Sequence, residues 1–143
     1  MSIAEQVAER VGVWLSELFG AAATPRKDGA GYDVRFGSAR VEVTVSPLGD
    51  AEAVIVARAP VVTGADVTAE LMRHLLERNC EARFGAFGVT RGGDIEFRHS
   101  IIGSACQKEE LKASVQYVML TADLADDEIV KKWGGRRASD QEE

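Results

Sequence analysis

The chain has 143 residues, 45% of them hydrophobic, which is enough for one well-buried core and too few for two ordinary ones. Seventeen basic side chains against 23 acidic ones leave a net charge of −6, which repels a phosphate backbone and argues against nucleic acid as a partner. The longest apolar runs, such as Ala53 to Ala57, fall far short of the roughly 20 residues that cross a bilayer. Met1 to Gln6 carry neither a basic nor an apolar signal region, so no membrane partner and a cytoplasmic location are expected.

Ser2 followed by Glu5 has the form of a capping box, and Ile3, Val7, Val11, Trp14, Leu15 and Leu18 recur at helical spacing, which predicts a first helix. Gly20 and the stretch Thr24 to Gly31 end it in a loop. Tyr32, Val34 and Phe36, then Val41, Val43 and Val45, alternate with polar residues and predict two half-buried strands in a hairpin. Glu52 to Val62 is apolar at both parities, as suits a strand covered on both faces, and Pro60 places its end at an edge or a bulge.

Asp66 is the expected cap of a second helix with Val67, Leu71, Leu75 and Arg78 on one face and Asn79 at its end. Arg83 to Val89 and Ile95 to Ile101 read as strands four and five around the turn Arg91-Gly92-Gly93-Asp94. Ser104 with Gln107 repeats the capping-box pattern and opens a helix with Leu111, Val115, Val118, Met119 and Ala122 on one stripe. That helix either extends to Trp133 or breaks near Asp126-Asp127 and resumes. Residues 134–143 are small and polar and are expected to form a disordered tail, leaving residues 1–133 as a single domain.

The expected architecture is therefore α+β, a single antiparallel five-stranded sheet in the order α-βββ-α-ββ-α. That order, with Leu75-Leu76-Glu77-Arg78-Asn79 leading into Phe84-Gly85-Ala86-Phe87-Gly88-Val89 and then Asp94-Ile95-Glu96-Phe97-Arg98 before a long amphipathic helix, resembles the type III secretion chaperone-like fold, in particular its YbjN-type branch. The resemblance runs from Ile3 to about Trp133. It implies a small acidic, non-enzymatic module that holds or regulates a protein or peptide segment, often as a homodimer. A small-molecule-sensing regulatory domain, with a cavity between helices and sheet, is the alternative.

Strand parity suggests where a partner would sit. If Ile95, Phe97, His99 and Ile101 face the helices, Glu96, Arg98 and Ile102 face out, and the same parity turns Arg83, Phe87 and Val89 out of the core. Val54 and Val56 share the parity of Arg58 and join them. Val54, Val56, Phe87, Val89 and Ile102 are thus the candidate partner-binding residues, because contiguous exposed apolar surface marks an interface. The other reading is that they pack under a helix or loop. Helix one offers a second apolar surface.

No reactive constellation accompanies these elements. Cys80 and Cys106 are expected to be free thiols, and His74, Cys80, His99 and Cys106 lack the close ligand spacing of a zinc site. Gly29-Ala30-Gly31 and Gly92-Gly93 open no helix after a strand and read as turns, not phosphate loops. Asp123, Asp126, Asp127 and Glu128 lack the ligand order of a calcium loop and read as a solvated helix end. No catalytic residue, metal or cofactor is expected.

Overall fold

Ser2 and Glu5 cap the first helix reciprocally: the Glu5 amide donates to Ser2 Oγ at 3.1 Å and the Ser2 amide to Glu5 Oε1 at 2.9 Å. The structure, a computed structural model, describes residues 1–140. After α1 (Ile3–Phe19) and a 3-10 turn at Gly20–Ala22 come β1 (Ala23–Pro25), β2 (Tyr32–Phe36), β3 (Ala39–Leu48), β4 (Glu52–Thr63), α2 (Ala69–Glu81), β5 (Ala86–Val89), β6 (Ile95–Ile102), α3 (Lys108–Trp133) and β7 (Arg136–Arg137). A second 3-10 turn, Ala138–Asp140, follows.

All the strands join one antiparallel sheet in the order β1-β2-β3-β4-β6-β5, with β7 paired to the end of β4. The sheet has seven strands and not five. The additions, β1 and β7, are three and two residues long, too short to display a period of two in the sequence. β7 also changes the account of the tail: Arg137 and Arg136 lie opposite Val62 and Thr63, and the backbone continues into the 3-10 turn as far as Asp140. Residues 141–143 of the expected tail lie outside the described residues.

One face of the sheet carries the core. Val34, Val41, Val43, Ile55, Ala57, Ala59, Ile95 and Phe97 are all buried on it. α1 packs there closely enough that a Cβ at Gly12 would stand 2.3 Å from the Tyr32 hydroxyl, so glycine is the residue that admits the contact. α3 covers the rest of that face, with Ser114 Oγ 2.7 Å from His99 Nδ1 and the Tyr117 ring 6.1 Å from Phe97. Of the edge or bulge expected at Pro60, the strand has an irregularity of the second kind, a shift of the β4–β6 register between Pro60 and Val62, and it runs on past it to Thr63.

Two helix starts differ from the sequence reading. Thr68, not Asp66, caps α2, its Oγ1 accepting the Leu71 amide at 3.1 Å, while Asp66 is held in the preceding turn, where its amide donates to the Trp133 carbonyl at 2.9 Å. At α3 the cap is Gln107, whose amide reaches Glu110 Oε1 at 3.4 Å. Ser104 bonds instead to the Glu52 carboxylate, through its amide at 2.9 Å and through its hydroxyl. α3 then runs unbroken past Asp126-Asp127 to Trp133.

Asn79 joins α2 to the sheet. Its Oδ1 accepts the Phe87 amide at 2.7 Å and its Nδ2 donates to the Phe87 carbonyl at 3.2 Å, so one side chain does what a neighbouring strand would do for the outer edge of β5. At the opposite edge β1 is three residues long and ends in Pro25.

Candidate functional site

On the face away from α1 and α3, Val54 lies directly opposite Ile102, and Val56 sits between Thr44 and Ser100. Ile102 is 50% exposed, and Leu48, of the same parity, is 51% exposed at the same end. Three of the five sequence candidates, Val54, Val56 and Ile102, therefore share the outer face. Val56, however, is buried at 9% exposure under its neighbours there, so the apolar corner open to a partner is Leu48, the half-buried Val54 and Ile102. Phe87 and Val89 do not share that face. They stand opposite Phe97 and Ile95, and antiparallel partners share a face, so both belong to the helix side. The parity assignment fails because the chain reaches β5 through Gly85, at φ 78°, and the strand begins only at Ala86, so the phase cannot be carried forward from Arg83. Phe87 is buried at 7% exposure, and Val89 sits exposed at the sheet margin.

The remainder of the outer face is a ladder of ion pairs running across the strands. Arg26 reaches Asp33 at 3.0 Å and Glu42 at 3.1 Å, Arg40 reaches Glu42 at 3.0 Å, and Arg58 bridges Glu42 at 3.1 Å to Glu96. Glu96 is only 8% exposed, so removal of Arg58 would leave a nearly buried carboxylate with only the longer 3.5 Å pair to Arg98, a costly way to break such a network.

A second apolar surface, missed by sequence reasoning, lies between α2 and α3. A groove of about 250 Å³ is lined by Ala82, Phe87, Tyr117, Leu120 and Leu124, with Arg78 and Glu81 on its rim. Leu120 is 52% and Leu124 69% exposed, and Phe84, 57% exposed, stacks edge-on against Tyr117 at 5.7 Å. Arg78 is fixed by Glu128 at 3.2 Å. The available signal was the spacing of Leu120 and Leu124: one turn apart, they fall off the stripe of Leu111, Val115, Val118 and Ala122 that enters the core. On α2, Met72 and Leu76 form a further exposed strip on the flank that carries Asn79.

A third feature is a cavity of about 310 Å³ where β3 and β4 part beyond the Glu42–Arg58 pair, floored by α3. Asp126, read from sequence as part of a solvated helix end, is 4% exposed and lines this floor. Burial, reinforced by the neighbouring Asp127, pushes its carboxyl up to about 6. An acid whose folded pKa is raised binds its proton more tightly when folded, so stability falls as pH rises from about 4 to about 6 and stays lower above that. Asp126→Asn abolishes this loss: in urea melts the variant is expected to be about 1–3 kcal/mol more stable than wild type near pH 8 and indistinguishable from it below about pH 4.

The sulfur and imidazole side chains are scattered. His74 stacks on Trp133 at 5.1 Å, His99 is bonded to Ser114, and Cys80 is exposed while Cys106 is buried, both as free thiols. Burial, with Glu110 nearby, pushes the Cys106 thiol up to about 11, which leaves it protonated and a poor nucleophile. Among the described residues no group of three or more His, Cys, Asp or Glu side chains could hold a metal ion.

A helix-backed antiparallel sheet, with apolar surface on its outer corner and between two helices, has the makings of a polypeptide-binding domain. The chain belongs to the TY-Chap1 family, described as T3SS (YopN, CesT) and YbjN peptide-binding chaperone 1, whose profile matches residues 5–141. Among solved structures it is similar in fold to a chain of the ExsC–ExsE complex, with a TM-score of 0.67 at 15% identity, covering 90% of this chain and 97% of that one. No curated protein sequence matches it significantly. The type III secretion chaperone/YbjN resemblance seen in the sequence thus holds, and the chain is a partner-binding, chaperone-like module.

Proposed function

We propose that this module is non-enzymatic, acts in the cytoplasm, and holds an extended partner polypeptide by seating apolar side chains of that partner in the α2–α3 groove. The observation that carries the reading is that Leu120 and Leu124, each more than half exposed, line a concavity with Phe87 and with Tyr117, whose ring the exposed Phe84 meets edge-on. The outer corner formed by Leu48, Val54 and Ile102 provides a second contact for a segment long enough to cross the sheet. Among the described residues no helix is long and apolar enough to span a membrane.

Affinity capture from the native cell lysate tests the groove. A Leu120→Asp, Leu124→Asp variant is expected to fold normally, because both side chains are already exposed, and to lose at least about tenfold in the amount of polypeptide partner retained. Retention equal to wild type would remove the groove from the account; loss with Val54→Asp, Ile102→Asp instead would move the contact to the sheet. The Met72 and Leu76 strip on α2 suits pairing with a second copy. Light scattering is expected to show a dimer for wild type and a monomer for Met72→Asp, Leu76→Asp.

A further inference from the structure

On the outer face of the sheet, Arg35 in β2 and Arg40 in β3 lie directly opposite one another across the hairpin, and like charges so placed destabilise a sheet. We propose that this arginine pair, with Lys27 across a shared concavity, is a docking site for an acidic stretch of the partner polypeptide, whose carboxylates accept hydrogen bonds from the two guanidinium groups. The neighbouring like-charged pair shows how such a clash is resolved: Asp33 stands opposite Glu42, and Arg26 bridges both, at 3.0 and 3.1 Å. A carboxylate seated between Arg35 and Arg40 does the same with the signs exchanged. The inference rests on the chain being a partner-binding module, and it names the chemistry of the segment bound without depending on the α2–α3 groove.

The local charge fits such a guest. Arg26, Lys27, Arg35 and Arg40 line a concavity of about 300 Å³ together with Asp28 and Asp33, four cations against two carboxylates. Both carboxylates are already held by Arg26, Asp28 at 3.2 Å and Asp33 at 3.0 Å. Glu42, at 3.0 Å from Arg40, is shared with Arg26 and Arg58, each at 3.1 Å. Positive charge is thus in excess here on a chain whose net charge is −6, so attraction for an acidic segment is confined to this patch. Arg35 is exposed and its planar fork of donors matches a carboxylate in two parallel hydrogen bonds. Beyond Arg40, the cavity between β3 and β4 presents Asp94 and Asp123, which turns the segment towards β1. A nucleic acid is the less suitable polyanion, because its evenly charged backbone would also meet the acidic remainder of the chain.

The test is an NMR titration of the full chain with three probes, following the β2 and β3 amides: the capped peptide acetyl-Gly-Glu-Asp-Glu-Gly-amide, its neutral analogue acetyl-Gly-Gln-Asn-Gln-Gly-amide, and a short single-stranded oligothymidylate. Saturable shifts are expected with the acidic peptide and none with the neutral one. The affinity should fall about tenfold in Arg35→Gln, and several-fold as salt rises from about 0.02 to about 0.3 M. Arg35 is exposed, so that variant should fold as wild type does. Arg91→Gln, in the exposed turn between β5 and β6, should bind within about twofold of wild type. Absence of saturable shifts with the acidic peptide, equal binding of the neutral analogue, or an Arg35→Gln variant that binds as tightly as wild type would overturn the proposal. So would an oligothymidylate that shifts the same amides at least as tightly, which would mark a phosphate-binding surface. If the acidic peptide binds only after Glu142→Gln, Glu143→Gln, the occupant is the chain's own acidic segment and not a partner's. These polar probes do not suit the apolar α2–α3 groove, so the outcome is read separately from the lysate capture.

Discussion

Phe87→Ala is expected to unfold at a much lower urea concentration than wild type, with a loss of about 3–5 kcal/mol. The Phe87 ring is 7% exposed and meets the fully buried Phe97 ring edge-on at 4.8 Å, its amide and carbonyl are both held by the Asn79 carboxamide, and its strand is paired with β6. Truncation opens a hole between the sheet and the α2–α3 groove that neither fixed neighbour can close. The urea slope should stay constant while the midpoint moves, since the change acts on the folded core and not on the extent of unfolding. A loss below about 1 kcal/mol would mean that the ring contributes no more than an exposed one. The residue is consequently a poor place to test partner binding: a charge there would disrupt the core before it disrupted an interface.

Gly85→Ala should be nearly as damaging, at about 3 kcal/mol, for a reason of backbone and not of volume. Gly85 sits at φ 78°, where an L side chain is strained, and a Cβ built there would stand 2.5 Å from the Arg98 carbonyl oxygen and 3.0 Å from the Phe97 ring. Gly37 is the control. It has φ 65° but open space around the position of a Cβ, so Gly37→Ala should cost only about 1 kcal/mol. Thermal or urea melts of the two variants side by side separate conformational strain from the close approach. Equal losses would show that the Arg98 and Phe97 contacts are irrelevant.

The larger elements were legible because each has enough residues to express a period. Val7, Val11 and Leu15 along α1, and Val41 and Val43 in β3, repeat a core-facing position often enough for the pattern to name the face. β5 has four residues with a glycine turn immediately before it, so its phase is set by pairing with β6, information that lies across the fold and not along the chain. The helix starts erred for a related reason: Asp66 and Ser104 have the right chemistry for caps, but Asp66 is drawn into a turn against Trp133 and Ser104 is claimed by Glu52. Of the candidate surface, Val54, Val56 and Ile102 could be read from alternation alone. Leu120 and Leu124 stand off the core stripe of α3 by their spacing, but that spacing alone does not say whether another element covers the flank they occupy. Asp126 was hidden by its acidic neighbours, which made a buried carboxyl look like one more charge on a solvated end.

The treatment of the sheet margins has a consequence for how these molecules behave in company. With the Phe87 amide and carbonyl both taken by Asn79 on one side, and a three-residue strand closed by Pro25 on the other, the outermost strand at each margin is blunted against further pairing. A protein that binds a partner polypeptide runs the risk of templating fibrils from its cargo or from itself. Here that route is narrowed at both outermost strands, so concentrated solutions should stay free of cross-β scattering and of thioflavin-positive material. A segment seated in the proposed α2–α3 groove would be gripped by its side chains instead, a hold that leaves its own backbone unpaired and ready to be passed on.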